Sequence, residues 1–346
     1  MGLFVHARCT CGPRERFQAT RVKLRAPGPR DVQIRIAYAG ICHSDVEHAR
    51  SLRGATRYPL VPGHEIAGIV EAVGAEVTRF RPGARVGVGN MVDSCGSCAD
   101  CRAGLEQYCA SRVLTYGAIG RDGRVTQGGY AEQVVVDERF VLRIPDALPL
   151  ANAAPLFCAG ITMYSPLRHW KAGPGRRVGI IGFGGLGHVG VQIARALGAH
   201  VTVFDLSEAK RADALRLGAD EFRLADELDG LAGTLDLVIS TVPAALDLAT
   251  WLGLLGREGT LVWLSIPGAP LSLPPAALLA NRRSISGSRS GGIAETQEMI
   301  DFCATHGIRA EVEIIAAEAI DAAYERLLAG DVRYRFVIDA ATLAQV

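Results

Sequence analysis

The segment Arg176–Asp205, "RRVGIIGFGGLGHVGVQIARALGAHVTVFD", constrains the fold of this chain more than any other. An apolar run, a glycine-rich turn, a helical pattern and a second apolar run follow in that order. Two parallel strands joined by a crossover helix produce this sequence texture. The alternation continues through "SEAKRADALRLGA", "LDLVIST", "GTLVWLSI" and "RRSISGS", which predicts a doubly wound parallel sheet. In the turn, Gly182, Gly184 and Gly187 match GxGxxG, with Gly185 and Leu186 filling the gap. The first glycine permits a tight turn, the second lets backbone approach a pyrophosphate, and the third lets helix and strand pack closely. Phosphate charge then sits on the unpaired N–H groups of the helix start.

Asp205 ends the second strand, 23 residues after Gly182. A carboxylate there accepts hydrogen bonds from an adenosine ribose and repels a 2′-phosphate, which favours NAD(H) over NADP(H). Asp205 and Ser207 also precede a helical stretch and fit N-capping roles. Lys210 and Arg211 lie nearby with the opposite charge.

The first half of the chain has a different texture. Short β-branched runs such as "DVQIRIAYAG", "EIAGIVEAVG" and "YAEQVVV" alternate with closely spaced glycines, as a small barrel with sharp corners requires. The tail, "ETQEMIDFCATHGI" followed by "DVRYRFVID", reads as a helix and strands returning to this first domain. With 346 residues, two domains are the expectation.

Nine cysteines in a chain without a complete pairing framework point to metal or redox chemistry in a reducing compartment. Four of them, Cys95, Cys98, Cys101 and Cys109, fall inside one loop. Four thiolates suit tetrahedral zinc and leave no position for water, so this site is expected to be structural. A second group is dispersed: Cys42, the His64-Glu65 pair and Cys158. Cysteine, histidine and cysteine with an open fourth position would be a catalytic zinc arrangement. Spacing alone does not join these residues, and a buried inert thiol at Cys42 or Cys158 accounts for them equally well.

A formal charge of +1, with no basic or acidic block, argues against nucleic acid and anionic membrane partners. The N-terminus has no signal-peptide core, and His6 stands where a myristoylation motif needs Ser or Thr. No run approaches the ~20 apolar residues of a membrane span. A cytoplasmic protein is expected.

Taken together, "GICHSDVEHARS", "YPLVPGHEIAGIVEAVG", the four-cysteine loop ending "LEQYC", "APLFCAGITMYSPL", "GFGGLGHVGVQIA" and "DVRYRFVID" resemble the zinc-dependent medium-chain alcohol dehydrogenases, specifically the cinnamyl alcohol dehydrogenase-like subgroup. The resemblance covers nearly the whole chain. It implies a GroES-like β-barrel catalytic domain over 1–155, to which 290–346 returns, and a Rossmann cofactor domain over 156–289. It implies two zinc ions per chain, with Cys42, His64 and Cys158 holding the catalytic one and Glu65 as an exchangeable or nearby fourth ligand. Asp45 would orient His64, and Ser44 would carry the first proton. His43 and Arg335 match positions that contact cofactor phosphates, and Thr162 one near the nicotinamide. The implied reaction passes hydride between NAD(P)H and a zinc-bound aldehyde or primary alcohol, in a homodimer formed through the cofactor-domain sheets.

Four positions depart from the pattern. Glu47 stands where many relatives carry the histidine that passes the proton to solvent, with His48 beside it. Either Glu47 is the terminal base, or the relay is cut, which would suit reduction of an iminium or activated alkene instead. Asp205 replaces the small hydroxyl residues usual in the subgroup. Arg289 replaces a bulky apolar residue near the substrate mouth, where it either clamps an anionic or strongly hydrogen-bonding substrate or folds outward or onto cofactor phosphate. Leu114 falls where plant members often have a tryptophan against the aromatic substrate.

Overall fold

The computed structural model describes residues 3–52 and 54–344. The chain forms two compact units, one of Met1–Cys158 with Gly291–Val346, the other of Ala159–Ser290.

The first unit is built on a seven-stranded sheet. Its central strand, Asp31–Gly40, pairs antiparallel with Ile66–Val73, Gln133–Asp137 and the C-terminal strand Arg335–Asp339. The tail is thus a structural part of the first sheet, with Val337 opposite Gly40. Alternate residues of the central strand, Val32, Ile34 and Ile36, are buried against Val134, Val136, Val70 and Val86. This period-two pattern builds the core of the unit.

The second unit carries a six-stranded sheet in the order Glu221–Leu224, His200–Asp205, Arg177–Ile181, Leu235–Ser240, Leu255–Trp263, Ser284–Gly287. Every neighbouring pair is parallel. Numbered within the unit, the order is 3-2-1-4-5-6, the doubly wound dinucleotide-binding topology. Val178, Ile180, Val201, Val203, Val238 and Ile239 are almost fully buried, as strands covered on both faces must be. The predicted fold class is the one observed. Among the described residues no helix is long and apolar enough to cross a membrane.

Candidate metal and cofactor sites

Cys42, His64, Glu65 and Cys158 are brought together in the first unit, all buried, with their ligand atoms within 4.8 Å of one another. Cys42 immediately precedes the short helix His43–Ala49. Its backbone N–H donates to Asp45 Oδ2 at 2.7 Å, locking the helix start onto the site. Asp45 Oδ1 lies 3.0 Å from His64 Nδ1 and accepts the Gly63 N–H at 3.3 Å. With Nδ1–H donating to a fully buried carboxylate, Nε2 is left with its lone pair toward the cluster, 3.2 Å from Cys158 Sγ. The two sulfurs are 3.8 Å apart. Gly63 has φ +106°, and a Cβ there would come within 2.7 Å of the Tyr130 ring, so only glycine makes this turn.

Glu65 completes the cluster. A Cβ on Gly40 would lie 2.0 Å from Glu65 Oε2, so the central strand yields its side chain to admit the carboxylate. Arg335 Nη2 stands 3.0 Å from Glu65 Oε1, with both side chains buried. The pair is close but not aligned as a hydrogen bond, and both Glu65 oxygens are buried without a hydrogen-bond partner. Burial, partly opposed by Arg335, raises the Glu65 carboxyl to about 8. The hydrogen bond from Cys158 lowers the Cys42 thiol, with Arg335 and His64 adding to it, and the same contact raises Cys158. Two soft sulfurs, one oriented imidazole nitrogen and an orphaned carboxylate form a donor set that fits zinc.

The loop cysteines form a second cluster with ligand atoms within 4.8 Å. Here backbone N–H groups, not side-chain charges, support the sulfurs: Ser97 and Cys98 donate to Cys95 Sγ, and Cys101 donates to Cys98 Sγ. The Ser97 and Cys98 amides lower Cys95 to about 6. The donor set, four thiols in one turn-rich loop, fits a closed zinc site. The loop is docked on the helix Ile293–His306. Its Glu106 Oε2 accepts the Ile293 N–H at 3.1 Å, and a Cβ on Gly292 would lie 1.8 Å from Gly104 O. Gly292 brings no side-chain cap of its own, so Glu106 supplies it.

On the helix His43–Ala49, Ser44 Oγ donates to Cys42 Sγ at 3.1 Å. Glu47 is buried, and its Oε1 lies 3.9 Å from His43 Nε2. His48 turns elsewhere: its Nδ1 is 2.9 Å from Ser44 O and 3.4 Å from Tyr116 Oη. His48 therefore does not take the direction of Glu47. The Tyr116 ring stands between the rings of His48 and His64, with centroids 5.4 and 5.8 Å away. Sequence reading missed Tyr116, because a single tyrosine in "LTYG" has no periodicity or motif to mark it.

In the second unit, Gly182 has φ +92°, and a Cβ would come within 2.5 Å of Val242 Cγ1. A Cβ on Gly187 would lie 2.0 Å from Gly182 O, which fixes the close helix–strand contact. Gly184 has nothing within 4 Å of its Cβ position and leaves the backbone open to a ligand. Gly185 and Leu186 lead into the helix Gly187–Ala196. Asp205 Oδ2 accepts from Phe183 N at 2.7 Å and Lys210 Nζ at 3.1 Å, and Oδ1 accepts from Ser207 N at 3.0 Å. The carboxylate is thereby tied to the glycine turn. Thr162 lies half-buried on the helix Ala159–His169, and Arg289 is exposed beside the buried Ser290. Leu114, half-buried, belongs to the first unit on the strand Val113–Leu114.

Comparisons with known proteins agree with this geometry. Residues 28–146 match the alcohol dehydrogenase GroES-like domain, and residues 185–305 match the zinc-binding dehydrogenase family. The chain is 55% identical to the NADP-dependent alcohol dehydrogenase C 1 of Mycolicibacterium smegmatis, over 98% of this chain and 99% of that protein. It is 52% identical to the aldehyde reductase YahK of Escherichia coli, over 96% of each. The solved cinnamyl alcohol dehydrogenase of Sorghum bicolor superposes with a TM-score of 0.95 at 40% identity, covering 98% of each chain. With both halves of the fold matched and such likeness along its length, the chain belongs to the zinc-dependent alcohol dehydrogenases of the medium-chain dehydrogenase/reductase family, within the cinnamyl alcohol dehydrogenase-like group.

Proposed function

We propose that this zinc-dependent alcohol and aldehyde oxidoreductase uses Cys42, His64 and Cys158 to hold its catalytic zinc, with Glu65 standing by, and Cys95, Cys98, Cys101 and Cys109 to hold a structural one. The buried donor cluster, with His64 Nδ1 fixed 3.0 Å from Asp45 Oδ1, carries the reading. Zinc supplies Lewis acidity to a carbonyl or hydroxyl oxygen, and a nicotinamide ring supplies or takes the hydride. The chain's own residues orient the donors and move the proton. Asp45 fixes the tautomer and direction of His64. The Ser44 hydroxyl, beside Cys42 Sγ, exchanges the proton with substrate. Glu47, three residues further along the same helix and buried, receives it. His43 and Arg335 are the candidates for cofactor phosphates and Thr162 for the nicotinamide side, while Leu114 and Arg289 are candidates for substrate contact.

Asp205 supports a preference for NAD(H), although the Mycolicibacterium relative is named for NADP. Its carboxylate is held at the strand end by two backbone N–H groups, where it accepts ribose hydroxyls and repels a 2′-phosphate. Lys210 offsets part of that charge, so the preference is expected to be graded. We expect kcat/KM for NADH to exceed that for NADPH by about tenfold, and Asp205→Ser to narrow the gap. An NADPH preference in the unaltered enzyme would overturn this reading.

A cytoplasmic homodimer fits the remaining features. Among the described residues the edge strand Ser284–Gly287 has no second neighbour in its sheet, and Leu279 and Ile266 are exposed in the same unit. A monomeric mass by light scattering would refute the dimer.

A further inference from the structure

Away from both cysteine clusters, the first unit carries an open groove of about 720 Å³ between the loop Thr78–Arg85 and the segment Arg143–Asp146. Four arginines line it, Arg79, Arg81, Arg85 and Arg143, against one lining carboxylate, Asp146.

The walls are prearranged. Glu138 Oε2 accepts the N–H groups of Thr78 and Arg79 at 3.1 Å each, and Arg79 Nη1 donates to Glu138 O at 2.9 Å. The strand Arg85–Val88 pairs with Leu142–Arg143, so Arg85 and Arg143 leave neighbouring strands. Arg143 has one carboxylate partner, Asp301 at 3.1 Å, and remains 65% exposed. Arg85 gives one Nη2 hydrogen to Leu148 O, yet its Nε is buried without a hydrogen-bond partner, with Asp146 no nearer than 3.9 Å. Arg81 meets no carboxylate among the described residues and is exposed. Glu138, Asp301 and Asp146 thus offset much of the formal charge, but the guanidinium N–H donors outnumber the acceptors offered to them. One donor that is already dehydrated remains unmet.

Planar guanidinium forks recognise oxyanions through paired, charge-assisted hydrogen bonds. A singly charged ion would use one fork and leave the others idle. We propose that this groove binds a multiply charged oxyanion of the pyrophosphate class, held between Arg81 and Arg143 with Arg85 Nε beneath it. None of its lining residues belongs to the glycine turn Gly182–Gly187.

The test is calorimetric titration of inorganic pyrophosphate into the zinc-loaded enzyme saturated with NADH, so that the cofactor's own phosphate contacts are filled. At roughly 0.15 M ionic strength, one equivalent should bind. Arg81→Glu with Arg143→Glu should weaken it at least about tenfold, and Asp146→Asn should tighten it. Alcohol oxidation should stay unchanged in all three substitutions, and the melting temperature should fall by no more than a few degrees, the scale of the lost Arg143–Asp301 surface pair. Absence of binding in the unaltered enzyme, or equal affinity in the double variant and the parent, overturns the proposal. So does a weakened affinity in Asp146→Asn.

Discussion

The two cysteine clusters use the same donor element in opposite ways. The loop cluster draws four sulfurs from residues 95–109 and steadies them with its own backbone N–H groups. The buried cluster spans Cys42 to Cys158, 116 residues apart, and is supported by side-chain charges, Asp45 behind His64 and Arg335 against Glu65. A local loop can close around a metal with little help from the rest of the fold. A dispersed site exists only after the sheet has formed, and it can keep one position open and surround it with tuned charge. On the function proposed above, that separation would let one centre act as a staple and the other as a reagent.

The sharpest way to break the contrast is His64→Ala. Removing a ligand from the dispersed site should lower kcat/KM by at least about a thousandfold, the scale of lost Lewis-acid stabilisation. Metal analysis should fall from two zinc to one per chain, with the loop ion retained. Retained activity would assign the chemistry elsewhere. Glu47→Gln comes next and should slow turnover about a hundredfold and remove one limb of the pH–rate profile. If turnover and profile match the parent, Glu47 carries no proton, and the iminium or alkene reductase reading gains ground. Smallest in rate is Cys98→Ser. It should also cost one zinc but change kcat less than about threefold, while lowering the unfolding temperature by about 5–10 °C. A large loss of kcat at unchanged thermal stability would erase the distinction between the two centres.

Legibility in sequence follows the same division. The four-cysteine cluster and the tight glycine turn were readable because each is a spacing pattern within one segment. The parallel sheet was readable because buried strands are apolar throughout and alternate with helices. The buried cluster was joined only through resemblance, since no periodicity links residue 42 to residue 158. The Gly40–Glu65 contact, the Arg335 ion pair and the place of Tyr116 were not readable at all. Each is a close approach between segments far apart in sequence, and nothing local in composition records which side chain a distant segment must make room for.

The docking of Glu106 on Ile293 has a consequence for synthesis. The two partners are 187 residues apart. At ribosomal rates of about 5–20 residues per second, the metal loop is complete roughly ten to forty seconds before its docking helix is made. The loop can therefore take its ion while the chain is still nascent. The helix would then meet a loop already closed, with Glu106 in place for its first amide.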